Sequence, residues 1–161
     1  MARVLAHRFD RSILVEGDKF FDFLAAGAIE PWLPASNEQN DVVTKAAGAA
    51  SGRYVEGGYD TVYDGVVGPW FLPTFARHTG LGRVDYVVLL PAVEVCVERV
   101  ATRLQHDFSD EPATRKMHAE FASAVVAERH VLRGPPSDPV AVADVIIERR
   151  AGGALRYDVN T

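Results

Sequence analysis

Residues 12–18 read Ser12-Ile-Leu-Val-Glu-Gly-Asp18, a short apolar run that ends on acidic residues beside a glycine. Residues 59–65 repeat this form as Tyr59-Asp-Thr-Val-Tyr-Asp-Gly65. Apolar runs of this length between turn residues are typical of strands. Ligands of open parallel α/β sheets bind at the carboxyl ends of the strands. The two runs therefore predict a site in which Asp18 and Asp64 bind a hydroxyl, a metal ion or a phosphate.

Segments with strand and helix patterns alternate along the chain, which predicts an α/β fold with a mostly parallel sheet. The predicted strands are 12–15, 59–63, 85–90 and 155–159. The predicted helices are 2–9, 19–26, 37–55, 70–78, 93–104, 113–124 and 140–150. Residues 85–90 are apolar after Asp85, as in one strand buried on both faces, whereas 130–138 is predicted as a loop. No linker divides the chain, so residues 1–161 form a single predicted domain.

Composition and charge restrict the class of protein. The 161 residues include 22 acidic side chains and 17 Lys or Arg side chains, which give a net charge of −5. Nucleic-acid-binding proteins need a basic surface, so nucleic acid is not an expected partner. The single cysteine, Cys96, indicates a reducing cytoplasm rather than a disulfide framework. No apolar run reaches the length of about 20 residues that spans a bilayer, so no membrane partner is expected.

The order of the short motifs resembles a known family. Glu16-Gly17-Asp18 and Asp64-Gly65 follow strands, Pro91 ends the third, and Arg99-Val-Ala-Thr-Arg103 leads through a polar segment to Arg115-Lys-Met-His118. This order resembles the P-loop small-molecule kinases, in particular the chloramphenicol phosphotransferase, gluconate kinase and shikimate kinase groups. The resemblance covers Ala2 to about Ile146. It implies a three-layer αβα fold of the P-loop NTPase type, and ATP- and Mg²⁺-dependent phosphoryl transfer to a small hydroxylated molecule.

One part of the family pattern is missing from these residues. In the kinases that this chain resembles, a strand is followed by Gly-x-x-x-x-Gly-Lys-Ser/Thr and then by a helix. This sequence contains no Gly-Lys pair. Residues 2–10 resemble the last turns of that helix, so the first strand and the phosphate loop are expected to be absent from the chain. The resemblance places that strand at the centre of the sheet, between 59–63 and 85–90. A misassigned start codon is the favoured explanation; a degenerate relative, or two inner edges that close directly on each other, are the alternatives.

The resemblance gives roles to the two strand-end aspartates. Asp18 would bind the acceptor hydroxyl, orient it and accept its proton as it attacks the γ-phosphate, with Glu16 a weaker choice for this role. Asp64 would hold Mg²⁺ through water or make a second catalytic contact with the substrate. The alternatives are structural. Asp18 can cap a helix that starts at Lys19, and Asp64 can be a turn residue before Gly65.

Three arginines are the candidate nucleotide-binding side chains. Arg99 and Arg103 are four residues apart and share one helix face. By resemblance, residues 104–124 form a lid, and Arg103 and Arg115 would neutralise charge on the transferring phosphoryl group. Arg99, Arg103 and Arg115 would thus bind ATP, with Arg103 also catalytic. The alternative is an ordinary solvated helix face, with ion pairs to acidic neighbours such as Glu94.

Four further residues complete the predicted site. His130 begins a segment that, by resemblance, passes near the adenine. Trp32 and Trp70 each follow a proline after an aspartate-bearing strand, so both could line the acceptor pocket, in which aromatic side chains are common. Asn40 could donate hydrogen bonds to the acceptor. Core packing for the tryptophans and helix capping for Asn40 are the alternatives.

Three functional hypotheses follow from these residues. The first is a small-molecule kinase whose acceptor is a sugar acid, an aminoglycoside-like compound, an antibiotic or a nucleoside. The second is a degenerate kinase-like domain that binds a metabolite or a partner without catalysis. The third is a different parallel α/β fold of flavodoxin-like order that binds phosphate at helix N-termini.

Overall fold

The computed structural model describes residues 1–102 and 110–159. Its α-helices are α1 (Ala2–Ala6), α2 (Asn37–Glu56), α3 (Leu72–His78), α4 (Val93–Thr102), α5 (Glu111–Ser123) and α6 (Pro139–Ala151). Its strands are β1 (Ser12–Glu16), β2 (Asp60–Asp64), β3 (Arg83–Asp85), β4 (Val88–Leu90), β5 (Val131–Arg133) and β6 (Arg156–Asp158). Short 3₁₀ helices occupy Gly17–Phe20, Pro34–Ser36 and Glu128–His130. The chain is a mixed α/β protein, which confirms the predicted class.

Helix starts and ends follow the local sequence. The side chain of Asp138 accepts hydrogen bonds from the first amides of α6, and Asp110 does the same for α5. A proline follows each of these caps within the first turn, where the missing N–H is harmless. The longest helix, α2, ends before Gly58, whose φ of +81° is a conformation that glycine adopts readily. The predicted bounds of α2 are therefore confirmed to within one residue.

The strands form three separate two-stranded sheets in the described part of the chain. β1 and β2 are parallel, with Ser12 opposite Asp60 and Glu16 opposite Asp64. β4 and β5 are also parallel, with Val88 opposite Val131. β3 and β6 are antiparallel. Parallel pairing is thus the majority, but the sheet is not continuous.

The predicted strand 85–90 is wrong as one element, because the chain divides it into β3 and β4. At the break, the amide of Tyr86 donates to Leu155 O at 2.8 Å, continuing the antiparallel contact of β3 with the β6 segment. From Val88 onward the chain pairs in parallel with β5 instead. The break between β3 and β4 cannot be predicted from a continuous apolar run, because both pairings bury apolar side chains.

Two other predicted elements need correction. Residues 19–26 do not form an α-helix: the 3₁₀ helix Gly17–Phe20 is followed by turns, in which Phe21 N donates to Asp18 O and Leu24 N to Phe21 O. The stretch 130–138 is not all loop, because it contains β5. Both segments are only a few residues long, so their patterns carry too few positions to separate the alternatives.

The two parallel pairs do not close directly on each other, since β2 and β4 are not hydrogen-bonded partners among the described residues. Side chains instead connect β2 and the loop after it to the segment that comprises β3 and the start of β4. The guanidinium of Arg150, on α6, lies 3.4 Å from Asp60 at the start of β2 and 3.2 Å from Asp85 at the end of β3. The hydroxyl of Tyr86 donates to the carbonyl of Val67, beyond β2, at 2.8 Å.

Within the described residues, the apolar interior comprises two clusters. The larger cluster lies between α1, α6 and the strands, and its buried members are Leu5, Leu132, Val142, Ala143, Ile146 and Leu155. Val62 of β2 and Leu89 of β4 both pack against it, so one apolar layer supports both parallel pairs. The smaller cluster comprises Val88, Leu90 and Val131, with Tyr86, Phe121 and Val126 around them.

No helix within residues 1–102 and 110–159 combines the length and the apolar character that crossing a membrane requires.

Candidate functional site

The register of β1 and β2 brings the two predicted aspartates to one edge of the sheet. Glu16 is opposite Asp64 in the last pair of the ladder, so Gly17 and Gly65 are level one step further on. Asp18 and Asp64 are both exposed there. Each carboxylate also contributes to raising the pKa of the same phenol, that of Tyr63. The structure therefore places Asp18 and Asp64 at the same edge of the β1–β2 pair, near enough to the Tyr63 phenol for their charges to act on it.

Tyr63 is the residue of this edge that sequence reasoning missed. Its ring packs against Phe75 of α3, with ring centroids 4.7 Å apart. Burial, and then the charges of Asp18 and Asp64, raise its pKa to about 12. The signal in the sequence was the pair of glycines at the strand ends, Gly17 and Gly65, because a Cβ atom at either position would collide with the Tyr63 side chain.

The structural alternative for Asp18, a cap on a helix from Lys19, is wrong. The 3₁₀ helix begins at Gly17, and no side chain caps its start. The carbonyl of Asp18, rather than its carboxylate, accepts the hydrogen bond from Phe21 N at 3.0 Å. The carboxylate is therefore not used to begin the helix.

The loop that carries Trp32 is fastened to the start of α2. Asn40 Nδ2 donates to Pro31 O at 2.7 Å and to Ser36 Oγ at 3.0 Å. Gln39 forms two further hydrogen bonds with the backbone of Ile29, at 2.8 and 2.6 Å. Asn40 thus holds the loop, and Trp32 is partly buried within it.

Trp70 connects the loop after β2 to α5. Its ring lies 5.2 Å from that of Phe121, measured between centroids. It remains 46% exposed. The ring covers Gly68, where a Cβ atom would overlap the indole. Trp70 therefore packs at the surface, with one face open beside the strand-end loop.

The predicted arginines are in different situations. Arg103 lies outside the described residues, as do 104–109 of the predicted lid; the rest of that segment is mainly α5. Arg115, on α5, forms ion pairs with Glu111 at 2.8 Å and Glu94 at 3.7 Å. These contacts raise its pKa and match the predicted alternative of a charged helix face. Arg99 is exposed on α4.

His130 is in the protein interior, with a relative exposure of 3%. Its Nδ1 atom lies 3.0 Å from the carbonyl oxygen of Tyr86. The two rings are in contact, with centroids 5.9 Å apart. The imidazole therefore connects the start of β5 to the break between β3 and β4.

Metal-binding chemistry at the edge depends on few ligands. No group of three or more His, Cys, Asp or Glu side chains that could hold a metal ion occurs in the portion of the chain that the structure describes. Mg²⁺ is commonly bound by one or two carboxylates together with waters and substrate phosphates. Asp64 could therefore contact a hydrated Mg²⁺ through water, but it does not supply a complete set of protein ligands.

A shallow depression of about 540 Å³ lies elsewhere, lined by Val55, Leu81, Gly82, Arg83 and Asp158. These residues belong to the end of α2, to the start of β3 with the two residues before it, and to the end of β6. Asp18 and Asp64 lie instead at the carboxyl ends of β1 and β2.

Comparison with known proteins adds no relative: no family model matches the chain, and no curated protein matches it.

Proposed function

We propose that the carboxyl ends of β1 and β2 form the acceptor side of an ATP-dependent phosphotransferase that acts on a hydroxyl of a small molecule. The observation that supports this proposal is the position of Asp18 and Asp64 at one edge of a parallel pair, beside the phenol of Tyr63. Strand-end carboxylates are well suited to orient an alcohol and to accept its proton.

Within this proposal the two carboxylates differ in role. Asp18 accepts the hydrogen bond of the attacking hydroxyl and takes its proton. Asp64 provides an oxygen for a hydrated Mg²⁺ or for a second hydroxyl of the acceptor. When bound, ATP supplies the phosphoryl group and Mg²⁺ neutralises charge on it.

The arrangement of the strands also supports the P-loop type of fold. β1–β2 and β4–β5 are parallel pairs that pack on the same apolar cluster but do not pair with each other. The resemblance predicts one part of this pattern, the missing partner between 59–63 and 85–90, for a three-layer αβα sheet without its central strand. The arginine-bearing α5 lies against β4 and α4, beside the loop that carries Trp70.

The nucleotide side fits the residues of this chain less well. The 161 residues contain no Gly-Lys pair, so the amides and the lysine that cradle the β- and γ-phosphates are not among them. Arg115 is already paired with two glutamates, and Arg99 is the remaining described candidate.

A phosphotransfer assay tests the proposal. The 161-residue chain, and the polypeptide encoded from any in-frame start further upstream, are incubated with ATP, Mg²⁺ and small alcohols, and phosphate esters are detected by mass spectrometry. D18N is expected to abolish ester formation in whichever form is active. D41N is the matched control, since Asp41 is an α2 carboxylate paired with Lys45 at 2.6 Å. No ester from either form, or full activity in D18N, would reject the proposal.

The second candidate is a domain that binds a metabolite without catalysis. Two observations favour it, namely the absence of a Gly-Lys pair and the engagement of Arg115 by Glu94 and Glu111. Calorimetry with ATP·Mg²⁺ separates the two functions. The phosphotransferase requires nucleotide binding, whereas the binding domain retains only a small-molecule ligand.

A further inference from the structure

The position of Tyr63 on β2 lets its hydroxyl reach the edge that carries the aspartates. Side chains two residues apart on a strand share one face, so Tyr63 and Gly65 lie on the same side. Two residues of strand span about 6.6 Å, a distance that a tyrosine side chain covers. The ring therefore lies along the strand direction, over Gly65.

Glycine is required at both neighbouring positions for this arrangement. A Cβ atom at Gly65 would lie 2.9 Å from the Tyr63 ring and 3.1 Å from Gly17 Cα, and a Cβ atom at Gly17 would overlap the phenol oxygen. The backbones of the two strand ends thus approach closely beneath the ring. The ring of Phe75 packs against the Tyr63 ring, with centroids 4.7 Å apart. Packing therefore holds the hydroxyl in the groove above Gly17 and Gly65.

The hydroxyl is a hydrogen-bond donor under physiological conditions. Its pKa is raised to about 12 by burial and by the two aspartates, so it stays protonated at neutral pH. The ionised carboxylates of Asp18 and Asp64 can only accept. A ligand at this edge therefore meets two acceptors and one fixed donor.

The charge of the edge selects among ligands that fit this pattern. Glu16 is paired with Arg3 at 3.4 Å. Across residues 1–102 and 110–159, no ion pair is found for Asp18 or Asp64. Two uncompensated carboxylates repel an anionic ligand and favour a neutral or cationic one. Among the hydroxylated compounds, a sugar acid is thus a poorer match than a neutral polyol or an aminated sugar.

We propose that Tyr63 is a substrate-positioning residue, whose hydroxyl donates to an oxygen next to the reacting hydroxyl of a neutral or cationic polyol. The inference deepens the proposed phosphotransferase and rests on it. Asp18 and Asp64 accept from the hydroxyls of the polyol, while Tyr63 fixes which hydroxyl faces Asp18. A compound that lacks the neighbouring oxygen loses this contact.

Binding is measured by NMR on the full chain labelled with ¹³C at tyrosine Cζ, with Y63F assigning the signal. The probes are D-glucose, D-glucosamine, myo-inositol and uridine, with D-gluconate as the anionic counterpart. At least one neutral or cationic probe is expected to shift the Tyr63 signal, and gluconate is not. Isothermal titration calorimetry gives the affinity of each variant, since Y63F lacks the Tyr63 signal. Y63F should weaken binding of that probe about three- to tenfold, the effect of one neutral hydrogen bond.

Matched variants separate this role from packing. Y63F keeps the ring on Phe75, so its melting temperature should stay close to wild type. Y54F, at an exposed tyrosine of α2, should bind the probe as the wild type does. Failure of every probe to shift the Tyr63 signal, tighter binding of gluconate, or unchanged binding in Y63F would overturn the inference.

The same variants distinguish this inference from the proposed function. A probe that binds through Tyr63 and Asp18, but is never phosphorylated, supports the positioning role and rejects the phosphotransferase. A probe that is phosphorylated with the same KM and kcat in wild type and Y63F, but not in D18N, supports the phosphotransferase and rejects the positioning role. If both hold, Y63F raises KM with kcat nearly unchanged, as expected for a contact made equally in ground and transition states.

Discussion

The hydroxyl of Tyr86 donates a 2.8 Å hydrogen bond to the carbonyl of Val67. Tyr86 lies at the break between β3 and β4, and Val67 lies in the loop after β2. The bond therefore joins the β1–β2 pair to the β4–β5 pair, which share no strand pairing in the described chain. The carbonyl oxygen of Tyr86 also lies 3.0 Å from Nδ1 of buried His130. One residue therefore connects three segments that are distant in sequence.

Removal of this hydroxyl should destabilise the protein measurably. Y86F leaves the carbonyl of Val67 without its partner, at a cost of about 1–2 kcal/mol. Urea unfolding gives the free energy of unfolding directly, and Y54F is the control because its side chain is exposed. Equal free energies for Y86F and Y54F would contradict a connecting role for Tyr86.

Replacement of the glycine beneath Tyr63 should disturb the candidate site. G17A puts a methyl group where the phenol oxygen lies, so the ring must move, at a cost of about 1–3 kcal/mol. G82A is the matched control, since a Cβ atom there meets nothing within 4 Å. The Cζ signal of Tyr63 should shift in G17A and stay in place in G82A; an unchanged signal in both would show that the ring is not seated on Gly17.

Arg150 should contribute modestly, and in a salt-dependent way. R150Q removes ion pairs to Asp60 and Asp85 whose side chains are 40–45% exposed, so the expected loss is below about 1 kcal/mol per pair. It also removes the contact with the Phe9 ring at 5.0 Å. R53Q, which breaks a pair within one helix at 2.6 Å, is the control. Unfolding at low and at high salt should show a larger loss for R150Q, reduced when salt screens the charges.

Ionisation of the tyrosines should be visible in stability at high pH. The pKa of Tyr63 is raised from 10.0 to about 12 in the folded protein, and burial raises that of Tyr86 as well. A raised folded pKa contributes stability that is complete below pH 10, the unfolded value, and that is lost as pH rises towards 12. Unfolding free energies should therefore be flat in this respect below pH 10 and fall above it.

Absorbance at 295 nm provides the check on this assignment. In the wild type, part of the tyrosine ionisation should occur only well above pH 10. Y63F should lack a component that titrates near pH 12. A full, single titration near pH 10 in the wild type would contradict the burial of both phenols.

Long or strongly marked elements could be predicted from the sequence. α2 and α6 have the apolar spacing and the terminal Gly, Asp or Pro residues that fix their bounds. β1 and β2 are set by apolar runs between turn residues. Short elements could not be predicted in this way: β5 has three residues, and the 3₁₀ helix at Gly17–Phe20 replaces a helix whose apolar pattern was only approximate. Which partner each half of residues 83–90 takes depends on distant strands, so no local pattern contains it.

The site divides along the same line. The sequence by itself determined that Asp18 and Asp64 lie at strand ends, because short apolar runs between turn residues are typical of strands. Only the tertiary structure decided that the parallel register sets the two strand ends level, that the ring of Tyr63 fills the groove above Gly17 and Gly65, and that Arg115 faces Glu94 and Glu111. The physical reason is that strand propensity acts over a few neighbouring residues, whereas register, ring packing and ion pairing depend on residues that only folding brings within contact distance.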